Sequence, residues 1–230
     1  MKAFVLAGGL GTRLRARFGD LPKALAPLGG TPFLVRQLEW LRAAGLPEVV
    51  VCAGHGADRL RDAVGGGEAL GIAVRWSVER EPLGTGGALS LAARFVDGPA
   101  LVVNGDTLPE CDPWGLERER WENGSLGAVA LFEVEEARAR GRVELNGSGR
   151  IERFVEKDPA HRGAAWVNGG LYAFAPALWR RLPAGPSSLE RDVLPALAAA
   201  GSLRGWKSPG SFYDIGTPEE WERAERHFAP

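Results

Sequence analysis

Short, unbroken apolar runs alternate along the chain with stretches whose apolar residues recur every three or four positions. Residues 4–7 read as a strand that ends in glycine. Residues 32–44 read as a helix: Phe33, Leu34, Leu38 and Leu41 share one face, Arg36, Glu39 and Arg42 lie elsewhere, and Gly45 stops it. The β-branched run 49–53 predicts a buried strand. Residues 57–64 predict a second helix, with Gly65-Gly66-Gly67 behind it. A strand over 72–76, a helix over 87–95 and a strand over 100–103 follow, the last running into Asn104-Gly105-Asp106. This order predicts an α/β fold with parallel strands and helices on both faces of the sheet. Strands that are apolar throughout suit a sheet covered on both sides.

The second half changes character. Residues 126–132, 141–145, 151–155 and 166–174 read as strands, with turns such as Asn146-Gly147 between them. Helices are predicted over 188–200 and 218–228. No linker, internal repeat or low-complexity segment interrupts the chain, which predicts a single domain over 1–230 on a continuous, mostly parallel mixed sheet.

Composition narrows the function. The 230 residues are 45% hydrophobic and 25% charged, ordinary for a globular chain that buries its own core. The formal net charge is −1, so no global basic field draws in nucleic acid or an anionic membrane, and neither is an expected partner. Cys52 and Cys111 make no disulfide framework and lack metal-site spacing; they read as small buried hydrophobes in a reducing compartment. The apolar run near Met1 is too short for a signal-peptide core, and no stretch reaches the ~20 apolar residues of a membrane helix. The expected address is the cytoplasm. Asn123-Gly124-Ser125 and Asn146-Gly147-Ser148 then read as turns rather than glycosylation sites.

The most informative stretch is Leu6-Ala7-Gly8-Gly9-Leu10-Gly11-Thr12-Arg13-Leu14. A strand breaks into glycines, whose freedom at positive φ lets successive N–H groups converge on an anion. A helix starting near Arg13 would add its positive end, and Arg13 could grip phosphate oxygens as a planar fork. Lys23, in Pro22-Lys23, could add a point charge; a solvated surface lysine is the alternative. The Walker A ending is absent, and Leu14 stands where a dinucleotide fingerprint needs its third glycine.

This loop, together with Leu21-Pro22-Lys23, resembles the signature of the sugar-1-phosphate nucleotidyltransferases. The resemblance runs along nearly the whole chain. Glu81-Pro82-Leu83-Gly84-Thr85-Gly86-Gly87-Ala88 is similar to the family's base-binding loop, and Asn104-Gly105-Asp106 to its metal-binding strand end. Glu156-Lys157 and Asn168-Gly169-Gly170-Leu171-Tyr172 resemble its sugar-phosphate site, and Phe212-Tyr213-Asp214-Ile215-Gly216-Thr217-Pro218 its closing motif. The resemblance implies a Rossmann-like nucleotide-diphospho-sugar transferase fold, with a nucleotide-binding half over about 1–110 and a sugar-phosphate half over about 111–230. It implies that a sugar 1-phosphate and a nucleoside triphosphate give a nucleotide-sugar and pyrophosphate. The sequence is compatible with a monomer or a small homo-oligomer.

By the same resemblance, Arg13, Lys23 and Asp106 carry the catalysis. Leu6, Ala7, Gly8, Gly9, Gly11, Thr12, Arg13, Lys23, Glu81, Gly84, Thr85 and Gly86 hold the nucleotide. Gly141, Glu156, Lys157, Asn168 and Gly169 hold the sugar phosphate. Asp106 and Asp214 hold Mg2+, the one cofactor implied. The alternatives are a turn residue for Asp106 and a helix cap for Asp214. Asp112, before Pro113, reads as a helix start. His55, His161 and His227 are not expected to act. Glu190, in Ser188-Leu189-Glu190-Arg191-Asp192, lies in a region where the family often has a sugar-site glutamate. Arg138-Ala139-Arg140 stand where many members have an aromatic before the glycine–valine strand.

A carboxylate at Glu81 only accepts hydrogen bonds, which suits the adjacent N1–H and N2–H donors of guanine. The run Glu81 to Gly87 is most similar to guanylyltransferases, and the short length and the 188–192 segment to D-glycero-D-manno-heptose 1-phosphate guanylyltransferases. GTP and heptose 1-phosphate are therefore favoured, for a cell-surface carbohydrate. Mannose 1-phosphate with GTP, N-acetylmuramate 1-phosphate with UTP, and glucose 1-phosphate with dTTP stay open, as does a non-catalytic sugar-nucleotide-binding subunit.

Overall fold

A computed structural model describes residues 1–9, 11–137, 141–155 and 160–229. The first half lays down β1 (Lys2–Leu6), α1 (Arg15–Phe18), β2 (Pro27–Leu28), β3 (Thr31–Pro32), α2 (Phe33–Ala43), β4 (Glu48–Ala53), α3 (Ala57–Val64), β5 (Ala73–Val78), α4 (Gly84–Ala92) and β6 (Ala100–Asn104). The second half adds β7 (Thr107–Glu110), α5 (Pro113–Glu122), β8 (Gly127–Val134), β9 (Arg142–Leu145), β10 (Ile151–Val155), β11 (Ala165–Phe174), α6 (Pro176–Trp179), α7 (Leu194–Ala199), β12 (Leu203–Lys207), β13 (Ser211–Asp214) and α8 (Pro218–Phe228).

One mixed sheet runs in the order β10-β9-β11-β6-β1-β4-β5, with β8 also paired to β11 and β12 to β8. The β6, β1, β4 and β5 strands are mutually parallel, and β11 joins β6 antiparallel. Alternation along the strands sorts the core onto two faces. Ala3, Val5, Val49, Val51, Leu101 and Val103 point to one face, under Leu34, Leu38 and Leu41 of α2 and Leu60 and Val64 of α3. Phe4, Leu6, Val50, Cys52 and Val102 point to the other, under Leu89 and Ala92 of α4 and Leu194 of α7. Covering on both faces explains why Ala3–Leu6 of β1, Val49–Ala53 of β4 and Ala100–Val103 of β6 carry no polar positions.

The chain moves from β1 to β4 and β5 on one side, then crosses to β6 on the other. The order therefore reverses at β1, and a crevice opens outside the carboxyl ends of β1 and β6, where open α/β sheets bind ligands. Gly8, Gly54, Glu79 and Asp106 all follow the carboxyl ends of these parallel strands. A separate two-stranded ribbon pairs β7 with β13, placing Asp214 opposite Thr107. The Ile215 N–H donates to the Asp106 carbonyl at 2.9 Å, so the late segment is fixed against the turn after β6.

Candidate functional site

Two clefts meet at the reversal. The first has a volume of about 360 Å³ and lies over Leu6, Ala7, Gly8 and Gly9. Ala7 N–H donates to the Cys52 carbonyl at 2.8 Å, which ties the loop to β4. Gly8 lies close to the cleft carboxylate: a Cβ there would sit 2.9 Å from Glu79 Oε1, which would have to shift. Gly11 adopts φ 60°, a left-handed turn closed to most residues. The expected helix at Arg13 is only a 3₁₀ turn (Thr12–Leu14) followed by the four residues of α1, because Gly19 (φ 61°) and Pro22 stop it. So short a helix supplies little macrodipole, which leaves the N–H groups and side chains to meet an anion. Thr12 and Arg13 are exposed; Leu10 lies outside the described residues.

The base loop differs from its reading in sequence. Glu81 is exposed and stands outside the cleft, whereas Glu79, two residues earlier, lines it. Burial pushes the Glu79 carboxyl above the usual carboxylate range, offset in part by the Leu83 N–H that donates to its Oε2 at 3.1 Å. Three of the predicted nucleotide residues also serve the scaffold. Thr85 Oγ1 accepts from Leu189 N–H and donates to Glu190 Oε2, both at 2.7 Å. Gly86 N–H donates to the Ser187 carbonyl at 2.9 Å, and a Cβ on Gly84 (φ 70°) would meet that same oxygen at 2.5 Å. These contacts lock the start of α4 to the 187–190 segment, whose Glu190 lines both clefts.

Lys23, Asp106 and Glu190 form the wall common to the two clefts. Lys23 Nζ donates to Asp106 Oδ2 at 2.7 Å. Asp214 accepts from Gly216 N–H through Oδ1. A Cβ on Gly216 would stand 2.7 Å from that oxygen, 3.3 Å from Glu220 Oε2 and 3.5 Å from Lys23 Nζ, so the three side chains converge on one spot. Burial, then the charges of Asp106 and Glu220, push the Asp214 carboxyl up to about 6 against the pull of Lys23. Asp214 is not the cap of α8: Thr217 fills that place, accepting from Glu220 N–H.

The second cleft, about 730 Å³, adds Arg13, Gly141, Arg142, Asn168 and Arg191 to this wall. Asn168 is held at both ends of its amide: it donates to Tyr172 Oη at 3.0 Å and accepts from Gly170 N–H at 2.9 Å. Tyr172 is fully buried, and that burial raises its phenol well above the usual value. Gly169 is required by packing, since a Cβ would run into the Phe132 ring. His161 reaches the cleft wall, its Nδ1 lying 2.8 Å from Arg142 Nη1; His55 and His227 line neither cleft. Glu156, Lys157 and Arg138-Ala139-Arg140 lie outside the described residues. Asp112 caps α5, accepting from Trp114 N–H at 3.0 Å.

The donor set fits a hard divalent cation. The carboxylates of Asp106, Asp214 and Glu220 gather beside Lys23, which is paired to Asp106, and burial together with the neighbouring carboxylates raises the Asp214 carboxyl. Among the described residues no three His, Cys, Asp or Glu side chains form a ready-made metal cage. Mg2+ suits such a place, because it is commonly held by one or two carboxylates plus substrate phosphates. Among the described residues no helix is long and apolar enough to cross a membrane.

Residues 2–229 match the family described as nucleotidyl transferase. The chain is 35% identical over 226 residues to the mannose-1-phosphate guanylyltransferase catalytic subunit beta of Danio rerio, covering 96% of this chain and 62% of the relative. It thus spans a little under two thirds of the length of the curated relatives it matches. Among solved structures, HddC from Yersinia pseudotuberculosis is 30% identical and superimposes with a TM-score of 0.85 over 99% of each chain. The same protein complexed with GMP-PN superimposes equally well, at 0.85.

Proposed function

Because the chain belongs to the nucleotidyl transferase family, we propose that this site joins a sugar 1-phosphate to a nucleoside triphosphate and releases pyrophosphate. The observation that carries the reading is the shared wall: one Lys23–Asp106 pair borders both a glycine-lined cleft and a second cleft rich in arginine. An oxygen of the acceptor phosphate forms the new bond to the α-phosphorus, and the bond to the β-phosphate bridge breaks. The acceptor is already an anion, so no general base or covalent nucleophile is required. The obstacle is the meeting of two polyanions, and catalysis consists of positioning and charge neutralisation.

Each residue then has a task. The backbone of Leu6 to Gly9 and of Gly11 approaches the triphosphate, while Arg13 and Lys23 neutralise its oxygens. Arg142 and Arg191 face the acceptor phosphate, and Asn168 presents its fixed amide to the sugar. Mg2+, held by Asp106 and Asp214, would polarise the phosphate oxygens when bound. Glu79 takes the role read from sequence for Glu81: a carboxylate acceptor for the two adjacent donors of guanine. GTP is accordingly the favoured donor, in keeping with the guanylyl chemistry named for the Danio rerio relative and with the GMP-PN bound to HddC. The acceptor is a manno-configured sugar 1-phosphate. Mannose 1-phosphate is named in the relatives, and the resemblance in sequence favours D-glycero-D-manno-heptose 1-phosphate.

The test is a matrix of pyrophosphate release in the presence of Mg2+. GTP, UTP, dTTP, CTP and ATP are each paired with heptose, mannose, glucose and N-acetylmuramate 1-phosphates. Turnover is expected with GTP and a manno-configured acceptor. Turnover confined to UTP or dTTP would overturn the guanine assignment, and silence from folded, nucleotide-binding protein would overturn the activity.

A further inference from the structure

The apolar face of α2 carries one amide. Gln37 is completely buried, among Phe33, Leu34, Leu38 and Leu41 of the same helix. Its Nε2 donates two hydrogen bonds, to the Asn104 carbonyl at 2.9 Å and to the Thr107 carbonyl at 2.6 Å. Asn104 ends β6 and Thr107 begins β7, so the two bonds bracket the Gly105-Asp106 turn. Both neighbours are acceptors, which fixes the amide's orientation: reversed, its oxygen would face two carbonyls. Gln37 Oε1 has no hydrogen-bond partner among the described residues, so the polar contribution of the side chain is these two donated bonds.

The other groups of the turn are held as well. Gly105 N–H donates to the Leu6 carbonyl at 3.0 Å, and the Asp106 carbonyl accepts from Ile215 N–H at 2.9 Å. The backbone of Asp106 is thereby pinned on three sides, and its carboxylate remains directed at Lys23. We propose that Gln37 is a positioning residue for Asp106: its paired donors set the turn that aims the carboxylate into the wall between the clefts. This rests on the reading of Asp106 as a reaction-centre carboxylate. Gln37 itself touches neither cleft. A hydrocarbon of similar size would fill the same space but leave two buried carbonyls without donors, and the turn would relax to find others.

Gln37→Met keeps the volume and removes both donors; Gln37→Glu keeps the shape and places an acceptor against a carbonyl. Three readouts are taken on protein that is folded by circular dichroism. These are Mn2+ binding with GTP and no acceptor, followed by electron paramagnetic resonance; kcat and KM for GTP; and amide hydrogen exchange over 104–107. Either variant is expected to lose about 10- to 100-fold in Mn2+ affinity and in kcat, the range for groups that orient metal ligands, with KM for GTP within about threefold. Exchange over the turn should quicken. A folded Gln37→Met with wild-type Mn2+ affinity and kcat would overturn the proposal. Asp106→Asn, run alongside, separates the two claims. If it too binds Mn2+ and turns over as wild type, the reading of Asp106 fails, and unchanged exchange in Gln37→Met then overturns the pinning by itself.

Discussion

Replacing Glu79 by glutamine exchanges one oxygen for an NH2 and alters nothing else in size. In the free protein the change removes a cost. Burial holds the Glu79 carboxyl above its usual range, so the folded chain binds that proton more tightly than the unfolded chain does. Stability therefore falls as pH rises through that range, and ionised Glu79 subtracts from stability at neutral pH. Glu79→Gln should melt at the wild-type temperature or above it, which shows that any loss of activity is not a loss of fold. With GTP bound the sign reverses. Oε2 is committed to Leu83 N–H at 3.1 Å, so Oε1 is the oxygen left for the base. In the variant the amide oxygen must stay at Leu83, because an NH2 there would face another donor, and the NH2 turns toward the donors of guanine. A charge-assisted bond of about 1.5–3 kcal/mol is lost, and a donor left facing a donor costs about 1–3 kcal/mol more. Solvent reaches this half-buried group and holds the sum to about 2–4 kcal/mol, roughly 30- to 1,000-fold in kcat/KM. UTP should lose far less, since glutamine can both donate to and accept from uracil. The assay is coupled pyrophosphate release with GTP and UTP against mannose 1-phosphate. A variant within about threefold of wild type on GTP, with Glu81→Gln losing activity instead, would refute the reasoning.

Three other outcomes are expected. Without divalent cation, stability should fall as pH rises from the ordinary aspartate value of 3.8 through about 6, because the folded chain gives up the Asp214 proton late; Asp214→Asn should flatten that slope in thermal melts with chelator, and an unchanged slope contradicts the assignment. Gly105→Ala places a Cβ 2.5 Å from the Leu6 carbonyl and 2.9 Å from Ala7 Cα, both backbone atoms that cannot swing aside; urea unfolding should show a loss of about 1–3 kcal/mol, and kcat should fall at least tenfold. Thr85→Val orphans Leu189 N–H and removes a donor from Glu190, a cost of about 1–3 kcal/mol that Thr85→Ser should largely restore in the same unfolding assay.

The parallel half of the fold is legible because its central strands β1, β4 and β6 are covered on both faces and helices such as α2 and α3 carry an apolar stripe. Residues 57–64 and 218–228 were read with the bounds the structure shows. The ribbon of β7 and β13 was not read. Thr107–Glu110 and Ser211–Asp214 are four residues each and become strands only by pairing with each other, with Asp214 opposite Thr107. The helix over 188–200 is in fact a π-turn (Leu189–Val193) leading into α7, and its first N–H, at Leu189, donates to Thr85 Oγ1. In the site, Gly8, Gly9 and Asp106 line one cleft, and the turns that carry them are local features of the sequence. Glu79 was passed over for Glu81, since adjacency to Pro82 said nothing of which carboxylate leaves β5 pointing inward. Gln37 did leave a trace. It sits four after Phe33 and four before Leu41, a polar residue on a stripe that should bury only hydrocarbon, and such a misfit marks a side chain whose hydrogen bonds are required.

The β7–β13 ribbon has a consequence for how the protein is made. Asp106 leaves the ribosome early, with the whole glycine loop already behind it, whereas Asp214 arrives from the last strand. The second carboxylate therefore joins the first only through a pairing between distant parts of the chain, Asp214 opposite Thr107, and such non-local contacts form slowly. Under the proposed function, the two carboxylates meet only when this ribbon pairs.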